Sequence, residues 1–579
     1  MKASRARSRL RVDAIVIHAI APVSQRRLRR AWSRLRSRQD AEEKAPTLGT
    51  PRLAHANTSI RTPFRVLART LLATLLTLSG SIASAAESQP QGIVVQGSRV
   101  YDPERDGDPV VNNLQRRTFR YFWQTANRTN GLVPDRFPSP SFASIAGVGF
   151  ALTAYVVGVE RGYVSRAQAR LRTLRTLRFL ARLPQGPEEE GTAGFKGFYY
   201  HFLHMNDGRR FETNELSTVD TALLLGGVLL AQTYFNTETR SEREIRRLAQ
   251  EIYERVDWAW AMNGGKTLSL GWRPESGFIP FNWTGYNEAM LMYILALGSP
   301  THPIDPSTWN EWMSTYDETW GTFSGQEFLA FGPMFGHQYS HVWIDFRGIQ
   351  DAFMREKGID YFENSRRAAY AQREYARRNP MRWRGYDSEI WGLTACDGPA
   401  NIVQAFHNEE RGFFTYMARG TAAPQVVDDG TIAPTAAVGS IAFAPEIVIP
   451  TIRAFRARYG QHLYQRYGFL DAINPSFTFT DVPLRHGQIV ENLGWVATDY
   501  LAIDQGPIVA MIENYRSGLI WTIMKRNPHI RRGLELAGFT GGWLGSPQAP
   551  SGADDERDEN DADDEGQSEE GEPPLTSSR

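Results

Sequence analysis

The chain has 579 residues, of which 41% are hydrophobic and 22% charged, proportions typical of a globular protein with a large core. Its single cysteine, Cys396, excludes an internal disulfide and the usual cysteine zinc clusters. The formal net charge of +1 hides a basic amino terminus and an acidic carboxyl terminus. The sequence contains no phosphate-binding loop, dinucleotide fingerprint, serine nucleophile elbow or nucleic-acid module. We therefore expect no nucleic-acid partner.

The amino-terminal region carries the features of a targeting segment. Residues 1–69 are basic and lack apolar periodicity, so we expect a disordered leader. Residues 70–86 follow Arg61, Arg65 and Arg69, are charge-free and rich in Leu, and end in small residues. This order is typical of a secretory signal. We expect a periplasmic or secreted protein, with an uncleaved membrane anchor as the alternative because the leader is long.

The remaining chain divides into a linker, one large domain and a tail. Residues 87–108 are the expected linker, and residues 109–545 the expected catalytic domain. Residues 546–579 are acidic and without apolar periodicity, which predicts a disordered tail.

Two kinds of helix alternate within the large domain. One kind is amphipathic and charged; Ser241 and Glu244, for example, match a capping box before a run of apolar residues at helical spacing. The other kind is apolar nearly all round and must be buried on every side. Charged helices are predicted near 109–127, 165–183, 241–261, 306–316, 363–378 and 446–460. Apolar helices are predicted near 145–159, 217–235, 285–297, 339–355, 434–443 and 497–518.

Two concentric rings of helices, amphipathic outside and apolar inside, satisfy both burial patterns. The sequence therefore predicts an all-α fold, an (α/α)6 six-fold double-helix barrel with long rim loops. A solenoid of helix pairs is the alternative, although it would leave the inner helices facing solvent on a concave side. The long connections lead into the starts of the apolar helices, which places the site at one rim. They are residues 184–216, 262–284, 318–338, 380–433 and 461–496.

Acidic and aromatic side chains cluster where these loops join the inner helices. Glycoside hydrolysis needs two carboxyl groups, one to protonate the leaving oxygen and one to activate water or attack carbon. Flat rings suit stacking on sugars. Helix capping by the acids and core packing by the rings would give the same patterns. The acids are Asp135, Glu212, Glu215, Asp220, Glu288, Asp345, Asp397, Asp499 and Asp504; the rings are Trp272, Trp283, Tyr286, Trp343, Trp383, Trp391 and Trp495.

Two further groups of residues leave alternatives open. His337 and His341 have the spacing of two ligands on one helical face, but no third ligand is evident. We therefore expect them to contact substrate, with no metal. Tyr199, Tyr200 and His201 leave a polysaccharide lyase as an alternative, in which Tyr and His remove and donate protons.

Several longer motifs follow one another along residues 120–545. They include Ser144-Ile-Ala-Gly-Val-Gly-Phe150, Gly197-Phe-Tyr-Tyr-His-Phe202, Glu215-Leu-Ser-Thr-Val-Asp-Thr221, Trp283-Thr-Gly-Tyr-Asn-Glu-Ala289, Gly336-His-Gln-Tyr-Ser-His-Val-Trp-Ile-Asp-Phe-Arg347 and Trp391-Gly-Leu-Thr-Ala-Cys-Asp-Gly-Pro399. Together they resemble the bacterial glucoamylase-like family around glycoside hydrolase family 144, which includes endo-β-1,2-glucanases and domains of cyclic β-1,2-glucan synthases. The resemblance implies an (α/α)6 barrel, export, and inverting hydrolysis without a metal.

Carried onto this chain, the resemblance makes Glu288 the general acid and Asp504 the general base, with Asp499 as the alternative base. Glu215 and Asp220 are expected to hold sugar hydroxyls, and Glu215 is also a candidate to exchange roles with Glu288. The remaining residues expected to bind substrate are His201, Trp283, Tyr286, His337, His341, Trp343, Asp345, Arg347, Trp391, Asp397 and Asp499.

The predicted function is that of an exported glycoside hydrolase that cleaves β-glucan, with the β-1,2 linkage inferred from the resemblance alone. The expected partner is a glucan polysaccharide or oligosaccharide, and no cofactor is expected. A transglycosylase acting on cyclic β-1,2-glucan, a polysaccharide lyase and a non-catalytic glycan-binding protein are the alternatives.

Overall fold

A computed structural model of the chain describes residues 107–423 and 425–545. The predicted leader, signal segment and acidic tail lie outside these residues, as does the linker up to residue 106. No helix among the described residues is long and apolar enough to cross a membrane.

Helices make up most of the regular structure, and we number them in chain order. They are α1 (Pro109–Thr125), α2 (Ile145–Glu160), α3 (Arg166–Arg182), α4 (Thr218–Tyr234), α5 (Arg240–Glu254), α6 (Trp258–Ala261), α7 (Met290–Gly298), α8 (Ser307–Trp312), α9 (Tyr316–Thr319), α10 (Tyr339–Trp343), α11 (Ala352–Lys357), α12 (Tyr361–Arg378), α13 (Pro434–Val438), α14 (Pro445–Leu463), α15 (Ala502–Arg516), α16 (Leu519–Met524) and α17 (Pro528–Leu536). Short 3₁₀ turns lie at Met313–Thr315, Met334–His337 and Gly542–Leu544.

Short strands occupy the connections between helices. They are β1 (Arg136–Phe137), β2 (Ala143–Ser144), β3 (Gly194–Phe195), β4 (Phe198–Tyr199), β5 (Phe202–Leu203), β6 (Leu216–Ser217), β7 (Gly271–Arg273), β8 (Gly277–Phe278), β9 (Trp320–Phe323), β10 (Gln326–Leu329), β11 (Ala395–Cys396), β12 (Ile402–Phe406), β13 (Glu409–Phe413), β14 (Met417–Ala418), β15 (Tyr464–Gln465), β16 (Gly468–Phe469), β17 (Ile473–Asn474), β18 (Gln488–Val490), β19 (Gly494–Val496) and β20 (Tyr500–Leu501).

These strands form small antiparallel sheets, in the orders β1–β20, β2–β5, β3–β4, β6–β7–β8, β9–β10, β11–β14, β12–β13, β15–β16 and β17–β19–β18. The prediction of an all-α fold is therefore too simple: the fold is mainly helical, with small sheets in the connections. Strands of two residues are too short to show the alternation that marks a strand in a sequence.

The helices predicted to be apolar all round are present and buried, as α2, α4, α7, α10, α13 and α15. Helix α2 packs against α4 and α15, α4 against α7, α7 against α10, and α15 against α10 and α13. The Gln338 side-chain amide, just before α10, donates to the Ala436 carbonyl at 2.7 Å and to Ser440 Oγ at 2.8 Å. These bonds join α10 to α13, so contacts link each inner helix to the next around a circuit.

The charged helices predicted for the outer layer are also present, as α1, α3, α5, α8, α12 and α14. The capping box predicted at Ser241 is wrong, because the capping residue of α5 is Thr239, two residues earlier, which accepts from the Glu242 amide. Helix α3 begins with a complete capping box, formed by Ser165 and Gln168.

Two glycines allow the close approach of α2 and α4. A Cβ atom on Gly149 would lie 2.3 Å from the Leu223 carbonyl oxygen, and one on Gly227 would lie 2.1 Å from the Gly149 carbonyl oxygen. Both contacts are with backbone atoms, which cannot rotate away. The absence of side chains at these positions therefore lets the two helices pack with their backbones in contact.

Candidate active site

Carboxyl groups lie where the inner helices begin. Asp220 is in the first turn of α4, Glu288 lies two residues before α7, and Asp504 is in the first turn of α15. The amino-terminal end of a helix carries partial positive charge, which favours a carboxylate there. The loops that lead into these helices bring further acidic side chains to the same region.

Hydrogen bonds hold the backbone around Glu288, while one oxygen of its carboxyl group has no hydrogen-bond partner among the described residues. The Asn287 side chain accepts from the Ala289 amide at 2.9 Å, and Ser340 Oγ donates to the Glu288 carbonyl at 3.1 Å. The side chain is buried, and its Oε2 atom has no hydrogen-bond partner among the described residues. Burial raises the pKa of Glu288 to about 8, and the nearby charge of Asp220 contributes to the rise. Glu288 is therefore protonated at neutral pH.

Asp504 is buried beside a second carboxyl group, Asp471. Thr435 Oγ1 donates to the Asp504 carbonyl at 2.9 Å and fixes the start of α15. Burial raises the pKa of Asp504 to about 7, while a hydrogen bond from Asp471 opposes the rise. Burial and the Asp504 charge raise the pKa of Asp471 well above its usual range. The raised pKa of Asp471 favours its protonated form beside Asp504.

An arginine connects this acid pair to two more carboxylates. The Asp397 amide donates to Asp471 Oδ2 at 2.7 Å, and the Arg136 guanidinium lies 2.8 Å from Asp397 Oδ2. The same guanidinium lies 3.7 Å from Asp499 Oδ2, and Asp499 Oδ1 accepts from the Ser139 amide at 2.9 Å. Arg136 thus offsets the negative charge that these buried acids concentrate.

Glu215, His201 and Asp220 form a second group. His201 Nδ1 lies 2.9 Å from Glu215 Oε1, and its Nε2 lies 3.5 Å from Asp220 Oδ2. Burial alone lowers the pKa of His201, but Asp220 and then Glu215 outweigh burial and raise it to about 9. Burial raises the pKa of Glu215, but His201 and Arg273, which is 3.2 Å away, outweigh burial and lower it to about 2. Glu215 is therefore held as an ionised carboxylate, which favours a positioning role over proton donation.

Tyr339 connects the two groups electrostatically. Burial raises the pKa of its hydroxyl, and the charges of Asp504, Glu288 and Asp220 raise it further. Asp135 belongs to the same region: burial raises its pKa to about 6, although Arg136 opposes the rise. The structure thus gathers the predicted Glu288, Asp504, Glu215, Asp220, His201, Asp397 and Asp499 into one acidic region.

The sequence did not single out three residues of this region. Arg136 adjoins the candidate Asp135, and its cationic side chain next to an isolated acid was a usable signal. Tyr339 lies within the motif Gly336–Arg347, but no feature of the sequence distinguishes it from a tyrosine that only packs in the core. Asp471 lies between apolar residues in a long loop, and nothing in its local sequence marks it.

Two tryptophans expected at the rim are buried in packing contacts instead. Trp343 Nε1 donates to Thr153 Oγ1 at 3.0 Å, inside the circuit of inner helices. Trp391 Nε1 donates to Thr451 Oγ1 at 2.8 Å, on the outer helix α14. Neither ring has an open face on which a sugar could stack, so the predicted substrate contacts of Trp343 and Trp391 are not supported by their position.

Trp283 and Tyr286 lie in the loop before Glu288 and are also almost fully buried. Trp283 Nε1 donates to Thr218 Oγ1 at 3.1 Å, at the start of α4. The Tyr286 ring stacks on Tyr361 with a centroid separation of 5.7 Å. These contacts hold the loop that carries Glu288.

The two histidines are buried and neutral. His337 Nε2 is 3.1 Å from the Phe331 carbonyl, and His341 Nε2 is 3.1 Å from Ser365 Oγ. Burial lowers the pKa of each to about 3. Among the described residues, no group of three or more His, Cys, Asp or Glu side chains is placed to hold a metal ion.

Asp345 and Arg347 lie away from the acidic region. Asp345 follows the end of α10, where its carboxylate is 2.7 Å from Arg347 Nε and 2.6 Å from Lys525 Nζ. Its carbonyl accepts from Trp543 Nε1 at 2.7 Å. Lys525 follows α16, beyond the carboxyl end of α15, so this ion pair belongs to the opposite end of the inner helices. The predicted substrate contacts of Asp345 and Arg347 are therefore not supported by their position.

Comparison with known proteins identifies the family. A family model described as "Putative glucoamylase" matches residues 280–528. The chain is 27% identical over 460 residues to an exo β-1,2-glucooligosaccharide sophorohydrolase (non-reducing end) of Parabacteroides distasonis. That match covers 74% of this chain but only 57% of the relative.

Solved structures extend the likeness over nearly the whole of the matched proteins. An endo-β-1,2-glucanase of Chitinophaga pinensis, solved with sophorotriose and glucose, is 28% identical with a TM-score of 0.63, over 76% of this chain and 99% of that one. A Bacteroides uniformis protein that carries the glucoamylase description is 31% identical with a TM-score of 0.64, over 76% of this chain and 98% of that one. The chain belongs to this glucoamylase-like family.

Proposed function

We propose that the protein is a glycoside hydrolase that cleaves β-1,2-glucan with inversion at the anomeric carbon. The observation that carries the proposal is a pair of buried carboxyl groups, Glu288 and Asp504, each with an oxygen that has no partner among the described residues. They lie at the starts of two different inner helices, and the charge of each raises the pKa of Tyr339. The likeness to enzymes named for β-1,2-glucan supports the choice of substrate.

The same proposal includes closure of the helices into an (α/α)6 barrel. The circuit of contacts through α2, α4, α7, α10, α13 and α15 supports it, since α15 returns to pack on α2. The charged helices pack outside this circuit: α5 lies on α4, α14 on α13, and α1 on both α2 and α15. The carboxylates at the amino-terminal ends of the inner helices then share one rim.

Glu288 and Asp504 divide the chemistry according to their protonation. Glu288 carries a proton at neutral pH and donates it to the glycosidic oxygen as the bond to the anomeric carbon breaks. Asp504, ionised and hydrogen-bonded by Asp471, takes a proton from a water molecule whose oxygen attacks the anomeric carbon from the opposite side. The ion pair of His201 with Glu215 and Asp220 supplies fixed acceptors for sugar hydroxyls.

Two residues of the lyase alternative are already engaged in other contacts. The Tyr199 hydroxyl donates to the Leu180 carbonyl at 3.0 Å and is buried, so it is engaged in packing. His201 is held between two carboxylates, which keep it protonated and unable to accept a proton.

The test is anomeric proton NMR during digestion of linear β-1,2-glucan. The proposal expects α-anomer reducing ends to appear first and to mutarotate later. Initial β-anomer would contradict inversion, new unsaturated sugars would indicate a lyase, and the absence of cleavage would contradict the substrate. Products longer than the substrate would indicate a transglycosylase.

The proposal also places the enzyme outside the cytoplasm, on the signal-like order of residues 61–86. Cell fractionation with mass spectrometry of the mature amino terminus tests it. A terminus near Glu87 would support a cleaved signal, and an intact terminus in the membrane fraction would support an anchor.

A further inference from the structure

A cavity of about 320 Å³ lies next to the acidic region but is not part of it. Phe137, Tyr467, Leu470 and Tyr500 form its apolar lining. The volume falls at the lower end of the range of about 300–1,000 Å³ that is usual for small-molecule sites. The proposed hydrolysis uses none of these residues.

The cavity and the acidic region lie on opposite faces of one strand pair. Strands β1 and β20 pair antiparallel, with Phe137 opposite Tyr500. Successive side chains of a strand point to opposite faces. Arg136 turns toward Asp397 on one face, and the adjacent Phe137 lines the cavity on the other. The two sites are therefore separate but share a backbone support.

Polar side chains with free hydrogen-bonding capacity surround the apolar lining. Gln461, His462, Gln488 and Thr498 all line the cavity, and none makes a side-chain hydrogen bond to another residue within 107–423 or 425–545. Amide, imidazole and hydroxyl groups can both donate and accept. They can therefore form hydrogen bonds with a ligand that presents several hydroxyl groups.

The charge of the lining selects for a neutral ligand. Arg466 is cationic, but its guanidinium already lies 5.0 Å from the centre of the Tyr467 ring and donates to Gln124 Oε1 at 2.8 Å. No carboxylate lines the cavity within the described residues. An apolar floor with a neutral polar margin matches a pyranose, whose ring carbons form an apolar face and whose hydroxyls lie at its edge.

We propose that this cavity is a second binding site for a short segment of a glucan chain, distinct from the acidic region where the bond is cut. This inference rests on the proposed function, because it takes the substrate polymer as the ligand. A chain that is bound at the cavity has a higher effective concentration at the acidic region. The second site therefore strengthens the binding of long chains and leaves the cleavage of short ones unchanged.

The kinetic test removes two exposed amides from the cavity. The double variant Gln461→Ala/Gln488→Ala is expected to raise KM for long linear β-1,2-glucan about fivefold or more, since each lost hydrogen bond weakens binding by roughly that factor. Its kcat, and its KM for a β-1,2-linked glucotriose, should match the wild type. The matched control Asn236→Ala/Asn310→Ala removes two exposed amides that do not line the cavity. An unchanged KM for the long glucan, or an equal rise for both substrates, would overturn the proposal.

A binding measurement separates this inference from the proposed function. Calorimetric titration of the glucotriose into the Glu288→Gln protein is expected to show two binding events, of which the cavity variant loses one. A single event that the cavity changes do not affect would overturn the second site alone. No binding, together with no cleavage by the wild type, would overturn the proposed function as well.

Discussion

At the scale of the residue, the unusual feature of Glu288 is that it is buried without a counter-charge within hydrogen-bonding distance. Its Oε2 has no partner among the described residues, and burial raises its pKa to about 8. An isolated buried carboxyl group costs stability when it ionises. A protein gains from such a group when a neutral carboxylic acid is needed at neutral pH, which is the state required of a general acid.

Replacement of Glu288 by Gln tests this role, because Gln has nearly the same shape but no proton to donate. We expect Glu288→Gln to reduce kcat by about 10²–10⁴-fold with an unchanged melting temperature at about pH 4, where the carboxyl group is protonated in both the folded and the unfolded protein. Glu356→Gln, the same change at an exposed position, should leave both quantities unaltered. Near-full activity of Glu288→Gln in the reducing-end assay would exclude Glu288 as the acid.

The same substitution has a consequence for the dependence of stability on pH. The pKa of Glu288 rises from an ordinary value near 4.5 to about 8 on folding, so the folded protein binds the extra proton between these values. Folding stability from this group is therefore present below about pH 4.5 and is lost as the pH rises toward 8, on the order of 1 kcal/mol per pH unit. Glu288→Gln should remove that loss. Urea unfolding of both proteins at pH 5.5 and 8 measures the difference, and parallel losses in the two would contradict the assignment.

Activity should follow the protonation of both carboxyl groups. The base Asp504 must be ionised, so kcat/KM rises as the pH passes about 7. The acid Glu288 must be protonated, so kcat/KM falls as the pH passes about 8. A narrow bell-shaped profile with its maximum between these values is expected in initial-rate measurements. A maximum below about pH 6 would contradict this pair as the acid and base.

At this scale, the sequence predicted which acids lie at the starts of inner helices, and their catalytic roles remain proposals. Glu288 and Asp504 stand out because a rim loop meets an apolar helix at each of them. Trp343 and Trp391 do not differ locally from rings that bind sugars, and only the neighbours Thr153 and Thr451 reveal their packing role. The importance of Asp471 comes from its closeness to Asp504 in the folded protein, which no local sequence pattern encodes.

At the scale of the element, helices were predictable and strands were not. Helices α2 and α4 are long enough for their apolar surface to appear on all sides, and they match the predicted ranges to within one or two residues. Helices α10 and α13 have only five residues each, and the prediction overestimated both. Short strands such as β1 and β20 are defined by a partner hundreds of residues away, so their pairing requires the tertiary fold.

The contact between α2 and α4 gives a prediction at this scale. Gly149→Ala places a Cβ against the Leu223 carbonyl and should lower the free energy of unfolding by about 1–3 kcal/mol through overpacking. Gly460→Ala is the matched control in α14, where the nearest atom to an added Cβ is 3.9 Å away. That change should raise stability by about 0.5–1 kcal/mol, because alanine favours the helix. Equal effects of the two changes in urea unfolding would contradict the close-packing argument.

At the scale of the whole molecule, the contacts of α15 support the proposed closed ring over an open stack of helix pairs. Helix α15 packs on α2 and α1 from the start of the domain, as well as on α10 and α13. Strand β1, which contains Arg136, also pairs with β20 just before α15. The first and last parts of the domain therefore complete one core. The sequence favoured a ring over a solenoid only through the all-round apolar character of the inner helices, and it contained no direct sign of this contact.

The proposed closure of the ring predicts how the protein responds to truncation. Removal of residues 500–579 deletes α15–α17 and β20, and exposes the apolar face of α2. We expect this truncated protein to lose its cooperative thermal transition and to bind the dye ANS, because the ring cannot close and its core is open to water. In a solenoid, each repeat contacts only its neighbours, so the remaining repeats would still unfold cooperatively. Removal of residues 546–579 alone is the control and should leave the calorimetric transition unchanged, since α15 and its contacts are retained. A persistent cooperative transition after the longer truncation would favour the open stack, and its loss in the control would show that the acidic carboxyl-terminal segment contributes to the folded domain.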